Sequence, residues 1–277
     1  MTTFYPAKDS VFGIVDTEAM YARAFDDPAF TNQDTAAANA TANDMTLLPA
    51  VEVVGDAYYF GASGKFCGVL LNIGTPGVGT AITWEYYNGA TWVALTVSDQ
   101  SVGFTAAAGN SLIAFTPPSN WAATTVNAQS AFWIRARCST ASFTTQPLGT
   151  QAWLVKDITP YVVSVDGLPG PRELSEVTAL GDGGRAFIPA LENVVVTLEL
   201  HWSEDVGGGP DTVFGPLRTH TSPVHFHYGP EGRASTDIKY SGTCWVRNYT
   251  APSRTGAQVT ARVELQVHGT VARGTFT

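Results

Sequence analysis

Along much of this chain apolar and polar residues alternate one by one. In residues 194–202, Val194, Val196, Leu198, Leu200 and Trp202 fall on one side, and Val195, Thr197, Glu199 and His201 fall on the other. A period of two puts successive side chains on opposite faces, so this stretch predicts a strand with one face in a core and one in water. The pattern returns near the C-terminal end, where Val259, Ala261, Val263, Leu265 and Val267 oppose Thr260, Arg262, Glu264, Gln266 and His268. Further strands are expected over 9–16, 132–138, 152–158, 224–228 and 238–246, punctuated by turn clusters such as Gly229-Pro230-Glu231-Gly232. No stretch sustains a helical period, and only residues 18–25 predict a short helix. The expected fold class is all-β.

The sharpest local signal is the run Ile82-Thr83-Trp84-Glu85-Tyr86-Tyr87-Asn88-Gly89-Ala90-Thr91-Trp92-Val93-Ala94-Leu95. Asn-Gly supplies the positive φ angles of a two-residue type I′ turn, which predicts a hairpin pairing Tyr87 with Ala90 and Glu85 with Trp92. Ile82, Trp84, Tyr86, Val93 and Leu95 then share one face, and Glu85, Tyr87 and Trp92 the other. Tyr87 and Trp92 are candidate exposed aromatics, able to stack on sugar rings or anchor an interface. If this face lies inside a two-sheet sandwich they are core residues instead, and that is the favoured expectation. Trp133, flanked by Arg135 and Arg137, poses the same choice, with cation–π packing as a further option.

The chain has 277 residues, 44% of them hydrophobic and 14% charged, which excludes disorder over most of its length. No apolar run reaches the roughly 18 to 20 residues that span a bilayer. The start, MTTFYPAKDS, lacks a basic region followed by an apolar stretch, so an intracellular place of synthesis is the expectation. Fifteen basic against 24 acidic residues give a net charge of −9. That balance argues against a protein that holds nucleic acid by neutralising phosphates, while leaving room for transient contact. Residues 17–150 carry four bases and nine acids, and the remainder carries eleven bases and fifteen acids. The charged residues therefore concentrate outside the middle segment.

Little in the sequence assembles into a reaction centre. Cys67, Cys138 and Cys244 are widely spread and odd in number, as expected of reduced, core-filling thiols. His225 and His227 project from one strand face, a spacing that can seat a metal, but no third ligand accompanies them. Residues 61–66, GASGKF, are too short in their glycine spacing for a phosphate-binding loop and place Phe66 where a hydroxyl should hold magnesium. The acid pairs Asp26-Asp27 and Glu204-Asp205 point to opposite sides of an extended chain. No catalytic, metal-binding or cofactor-binding residue is assigned, and no cofactor is expected.

From Lys156 onward the chain reads KDITPYVVSVDGLPGPRELSEVTALGDGGRAFIPALENVVVTLEL. A strand ends in Asp157-Ile158-Thr159. Then come the Val165-Asp166-Gly167-Leu168-Pro169-Gly170 turn, the Glu176-Val177-Thr178-Ala179-Leu180-Gly181-Asp182 segment, Arg185, Pro189, a long strand, the Tyr228-Gly229-Pro230-Glu231-Gly232 turn, and a last strand leading to Gly269-Thr270-Val271. In this order they resemble the major tail tube protein of long-tailed, non-contractile bacteriophages. Ala7-Lys8-Asp9-Ser10-Val11-Phe12-Gly13-Ile14-Val15-Asp16 is similar to that family's first strand, which there turns straight into the Asp-Ile-Thr strand. The resemblance therefore implies a discontinuous tail-tube β-sandwich or barrel domain (residues 1–16 and 151–277), with residues 17–150 inserted as an accessory β-sandwich in its first hairpin. The inserted segment, with WEYYNGATWVAL, Thr116-Pro117-Pro118, Trp121 and FWIRAR, is similar to modules of other phage tail proteins.

The resemblance implies a structural virion protein rather than an enzyme. Copies would form rings, usually hexamers, that stack into a tube conducting DNA during genome ejection. The implied partners are other copies of the chain, a tape measure protein in the lumen, tail terminator and distal tail proteins, and DNA passing without specific binding; no membrane is implied. The implied location is the virion tail, assembled in the host cytoplasm. The expected ring-stacking loop, residues 164–185, includes Asp166, Gly167, Leu168, Pro169, Gly170, Pro171, Gly181 and Asp182, and its five glycines and two prolines suit ordering on contact. The alternative is a baseplate or distal-tail adhesin that binds host-surface glycan through its inserted domain.

Overall fold

The computed structural model describes residues 9–79, 81–141, 143–171, 173–180, 183–205, 207–252 and 258–277. The chain opens with β1 (Val11–Val15), β2 (Tyr21–Asp26), β3 (Ala29–Asn32), a five-residue helix α1 (Asp34–Ala38) and β4 (Met45–Thr46). The middle of the chain then runs through β5 (Ala57–Ala62), β6 (Gly68–Thr75), β7 (Ala81–Tyr87), β8 (Trp92–Ala94), β9 (Ser98–Asp99), β10 (Gly109–Ala114), β11 (Thr124–Val126), β12 (Gln129–Thr140) and β13 (Leu148–Asp157). It continues with β14 (Val162–Asp166), β15 (Leu174–Glu176), β16 (Phe187–Pro189), β17 (Val195–His201), helix α2 (Pro210–Leu217), β18 (Val224–Gly229), β19 (Ile238–Thr250) and β20 (Thr260–Thr275). The architecture is all-β and antiparallel throughout its pairings.

One large sheet runs in the order β14-β17-β20-β19-β18-β1-β13-β6-β10-β9, with β4 on the end of β13. A second sheet runs β3-β2-β5-β12-β7-β8, with β11 on β12. Residues 16–147 separate β1 from β13 in sequence, yet the two strands are neighbours, Gly13 opposite Asp157 and Val15 opposite Val155. The other edge of β13 pairs with β6, Trp153 opposite Leu70 and Leu154 opposite Val69. A single strand thus joins the sheet of the terminal segments to strands of the 17–150 segment.

Alternation along β13 feeds two cores. Ala152 and Leu154 enter the core between the two sheets, with Val69, Leu71, Ile113, Tyr58, Phe60 and Ile134. Val155, with Trp153 packed against it, enters a second core containing Phe12, Val196, Leu198, Val263, Leu265 and Phe214. That second core also takes Leu70 and Leu112 from β6 and β10, at the far side of the sheet. Side chains so distant in strand order meet only because the sheet curls, as right-handed twist allows. The curl brings the Thr277 amide to the Ser98 Oγ of β9, at 2.9 Å.

Two local expectations are corrected. Residues 21–26 form a strand rather than a helix, because Tyr21, Arg23 and Phe25 alternate with Ala22 and Ala24, and pairing to β5 from Tyr21↔Gly61 to Phe25↔Ala57 outweighs the helical preference of alanine. The β7–β8 hairpin pairs Tyr87 with Trp92 and Glu85 with Ala94, closing on a four-residue loop. The Asn88 side chain selects it: its Oδ1 accepts from the amides of Ala90 at 3.0 Å and Thr91 at 2.9 Å. The register moves by two residues, so the face assignment survives. Trp84 is buried toward the inter-sheet core while Glu85, Tyr87 and Trp92 lie on the outer face. The helix α2 was not visible in the sequence pattern; Gly209 and Pro210 start it and Val213, Phe214 and Leu217 bury its inner side.

Leu154 is fully buried, whereas Val163 is exposed on the outermost strand. Leu154→Ala is expected to cost about 2–5 kcal/mol in urea unfolding, and Val163→Ala about 0.5 kcal/mol or less.

Candidate assembly surface

Between β14 and β17 the chain leaves the body of the protein as an arm. At its base Asp166 accepts a hydrogen bond from the Gly167 amide at 2.8 Å. Gly167 (φ +89°) and Gly170 (φ +104°) then turn the backbone through conformations that side chains resist. A Cβ on Gly167 would lie 2.1 Å from the Val195 carbonyl oxygen, so the arm leaves in close contact with β17. Leu168 packs against the terminal-segment core, while Pro169 and Pro171 are exposed. The first six residues expected in a stacking loop therefore form its anchored root. Gly181 and Asp182 lie outside the described residues.

Beyond the root, β15 and β16 pair only with each other among the described residues, Leu174 opposite Pro189 and Glu176 opposite Phe187. The pairing continues with the Val177 amide donating to the Ala186 carbonyl, and Arg185 lies 3.9 Å from Glu176. Every described residue from 173 to 193 is exposed. Leu174, Val177, Leu180, Phe187, Ile188 and Leu191 all lie in water, Leu180 entirely so. Opposite residues share a face, so Leu174 and Phe187 lie on one side and Val177 and Ile188 on the other. Both sides are apolar. The sequence signal was present as apolar residues spaced through a polar, glycine-rich loop, but nothing in the pattern distinguishes an unpartnered apolar residue from a core one.

A second free surface is the edge of the large sheet. Strand β14 is hydrogen-bonded to β17 alone, so its other edge is unpaired within the described chain. At the opposite end β9 is only two residues long. Within this sheet the five-residue β14 therefore offers more edge for pairing than the two-residue β9.

The outer face of the second sheet carries an aromatic cluster. Tyr59 meets Trp92 edge-on at 5.5 Å, Phe30 lies 5.6 Å from Tyr59, and Tyr87 lies 5.8 Å from Trp92. Tyr87 and Trp92 are half-buried there. The Arg135 guanidinium sits 4.4 Å from the Trp92 ring centroid and donates to Glu85 at 2.7 Å, while Arg137 donates to the other Glu85 oxygen at 3.0 Å. Trp133 is fully buried under Arg23 and beside Tyr21.

Two ionic clusters brace the strand that joins the segments. Lys156 is fully buried and its ammonium meets Glu18 at 2.5 Å; Glu18 also accepts from the Ser63 amide. Burial raises Glu18, but the bonds from Lys156 and Ser63 outweigh it and hold the carboxyl below its usual value. Burial raises Asp16, and the nearby Lys156 offsets this only in part. Asp157 accepts both arms of the Arg233 guanidinium at 3.0 and 3.1 Å. Burial pushes Asp157 up, yet Arg233 and Thr159 bring it below the ordinary carboxylate value. His225 and His227 do share a strand face, but among the described residues no group of three or more His, Cys, Asp or Glu side chains converges as a metal site. Cys67, Cys138 and Cys244 are buried and free. Residues 63–67 connect β5 to β6, with Phe66 in the core and Lys65 bonded to the Pro118 and Ser119 carbonyls. Among the described residues no helix is long and apolar enough to cross a membrane.

The chain matches no known family model and no curated protein.

The depressed carboxyls fix a sign for acid stability. Glu18 and Asp157 are more acidic folded than unfolded, so their contribution is complete above the unfolded value and is lost as pH falls through the folded one. Asp16, raised by burial, works in the opposite direction and favours the folded state at low pH. In Asp157→Asn, the stability measured by urea unfolding should fall at pH 7 by about 1.5–3 kcal/mol, and the difference from the parent should shrink as pH drops below about 4.

Proposed function

We propose that this chain is a virion structural protein, the major tail tube protein of a long-tailed bacteriophage, whose copies close into rings and stack into a DNA-conducting tube. The observation that carries the reading is the arm formed by β15 and β16. A lone two-stranded hairpin is marginally stable in water, and one that exposes Leu174, Val177, Leu180, Phe187, Ile188 and Leu191 is suited to a protein partner. A second copy of the same chain supplies such a partner at equal abundance, and repetition of one contact generates a stack. The free edge of β14 suits a lateral contact within a ring, since edge pairing removes the unpaired groups that otherwise invite aggregation. The net charge of −9 suits a wall along which DNA slides.

In this reading rings of six surround a tape measure protein and meet tail terminator and distal tail proteins at their ends. Residues 17–150 are an accessory domain built outward from the β1–β13 hairpin, sharing β13 with the tube domain and lying outside the lumen. The protein acts in the virion tail by shape, with no catalytic residue.

Negative-stain electron microscopy of the purified protein tests this directly. Rings or tubes with a central hole are expected. Replacing residues 172–190 by a short Gly-Ser turn should leave single rings and abolish tubes; tubes of normal length from that variant would overturn the stacking role of the arm. A second reading, a distal-tail adhesin, is favoured by the aromatic cluster around Trp92. It requires saturable glycan binding that Trp92→Ala removes, with small oligomers in place of tubes.

A further inference from the structure

A cavity of about 180 Å³ opens beneath the early residues of β19, against β1, β13, β6 and β10. Its polar lining is Gln100, Asn110, His225, His227, Lys239 and Ser241, and it contains no carboxylate. We propose that this cavity is a binding site for a small oxyanion of the phosphate class.

The groups that face it are short of negative charge. Lys239 is 4% exposed, and its ammonium lies 5.4 Å from the Phe276 ring centroid with no carboxylate paired to it among the described residues. His227 is 2% exposed, and its Nε2 is buried without a hydrogen-bond partner among the described residues. Its ring lies so close over β1 that a Cβ on Gly13 would fall 2.3 Å from it, and Phe276 meets it edge-on at 5.8 Å. The ring is therefore held in place with one nitrogen unused. The neighbouring carboxylate, Asp157, is already taken by both arms of Arg233. His225 and Asn110 are in contact at 3.2 Å, where the amide can donate to the imidazole nitrogen or be turned to accept from it.

A largely buried lysine without an acid beside it and an orphaned imidazole nitrogen each favour a counter-charge or acceptor nearby. One oxyanion in the cavity would accept from the Lys239 ammonium and the Ser241 hydroxyl, with the His227 ring in the wall beside it. The size suits it, because the volume exceeds that of a single water and is too small for a nucleoside. Burial lowers the basicity of both Lys239 and His227, with the nearby Arg233 and Lys239 adding to the effect on His227. An anion reverses the electrostatic part of that effect, so binding should take up protons. The inference is independent of ring assembly, since the cavity lies within one chain.

The test is calorimetric titration of the full-length protein with inorganic phosphate at pH 7, ionic strength being held constant with sodium chloride. Phosphorus NMR line broadening provides the second readout. Saturable binding at one site is expected, with proton uptake, with weaker binding of a deoxynucleoside monophosphate, and with loss of about tenfold in affinity or more in Lys239→Met. If Lys239→Met does not fold, Ser241→Ala serves as the second variant, and a several-fold loss is expected there. Absence of saturable phosphate binding by the parent protein would overturn the proposal, as would unchanged affinity in a folded Lys239→Met or, failing that, Ser241→Ala. Equal binding of the nucleotide and phosphate would overturn the size limit on which it rests.

Discussion

A strand paired along both edges and buried on both faces leaves no place for an uncompensated charge, and β13 carries Lys156 and Asp157 at its end. Each is answered from a different part of the chain, Lys156 by Glu18 in the β1–β2 connection and Asp157 by Arg233 in the β18–β19 turn. Desolvating a charge is repaid only by close partners. These pairs therefore hold the β1–β2 connection and the β18–β19 turn against the strand that joins the two segments. The second sheet stacks on one face of β13 and the curled terminal-segment strands close on the other, so the packing of both cores depends on how this strand is held.

The same physics explains where the body stops. Among the described residues, apolar side chains within the two main sheets are mostly buried, while those of the β15–β16 arm are not. The arm is rooted by Leu168 and by the close approach of Gly167 to β17, and beyond Pro171 its described apolar residues stay exposed. Both faces of the hairpin carry exposed apolar residues, and the proposed stacking contact rests on that feature.

Polar groups inside the fold divide into satisfied and unsatisfied sets. Glu85 is saturated by Arg135 and Arg137, and Asp157 by Arg233. Among the described residues, His227 Nε2 has no hydrogen-bond partner and Lys239 faces an aromatic ring instead of an acid. His227 lines the cavity beside Lys239, and Gly13 is the residue that makes room for the imidazole there.

Alternation by itself determined the all-β class, the strands near 194–202, 224–228 and 238–246, and the faces of the 82–95 hairpin, because a period of two is written locally in each strand and is indifferent to register shifts of even length. It misassigned residues 18–25, where the helical preference of Ala22 and Ala24 is a local quantity and the pairing to β5 that overrides it is not. It placed His225 and His227 on one face without showing that one nitrogen would be orphaned. Only the tertiary structure decided that the apolar residues of 174–191 have no core to enter, that β13 belongs to two packing environments, and that Lys156 and Arg233 are buried opposite acids far away in sequence. Those outcomes depend on which strands become neighbours, and a linear pattern records what each strand needs to bury or pair without recording what will meet it.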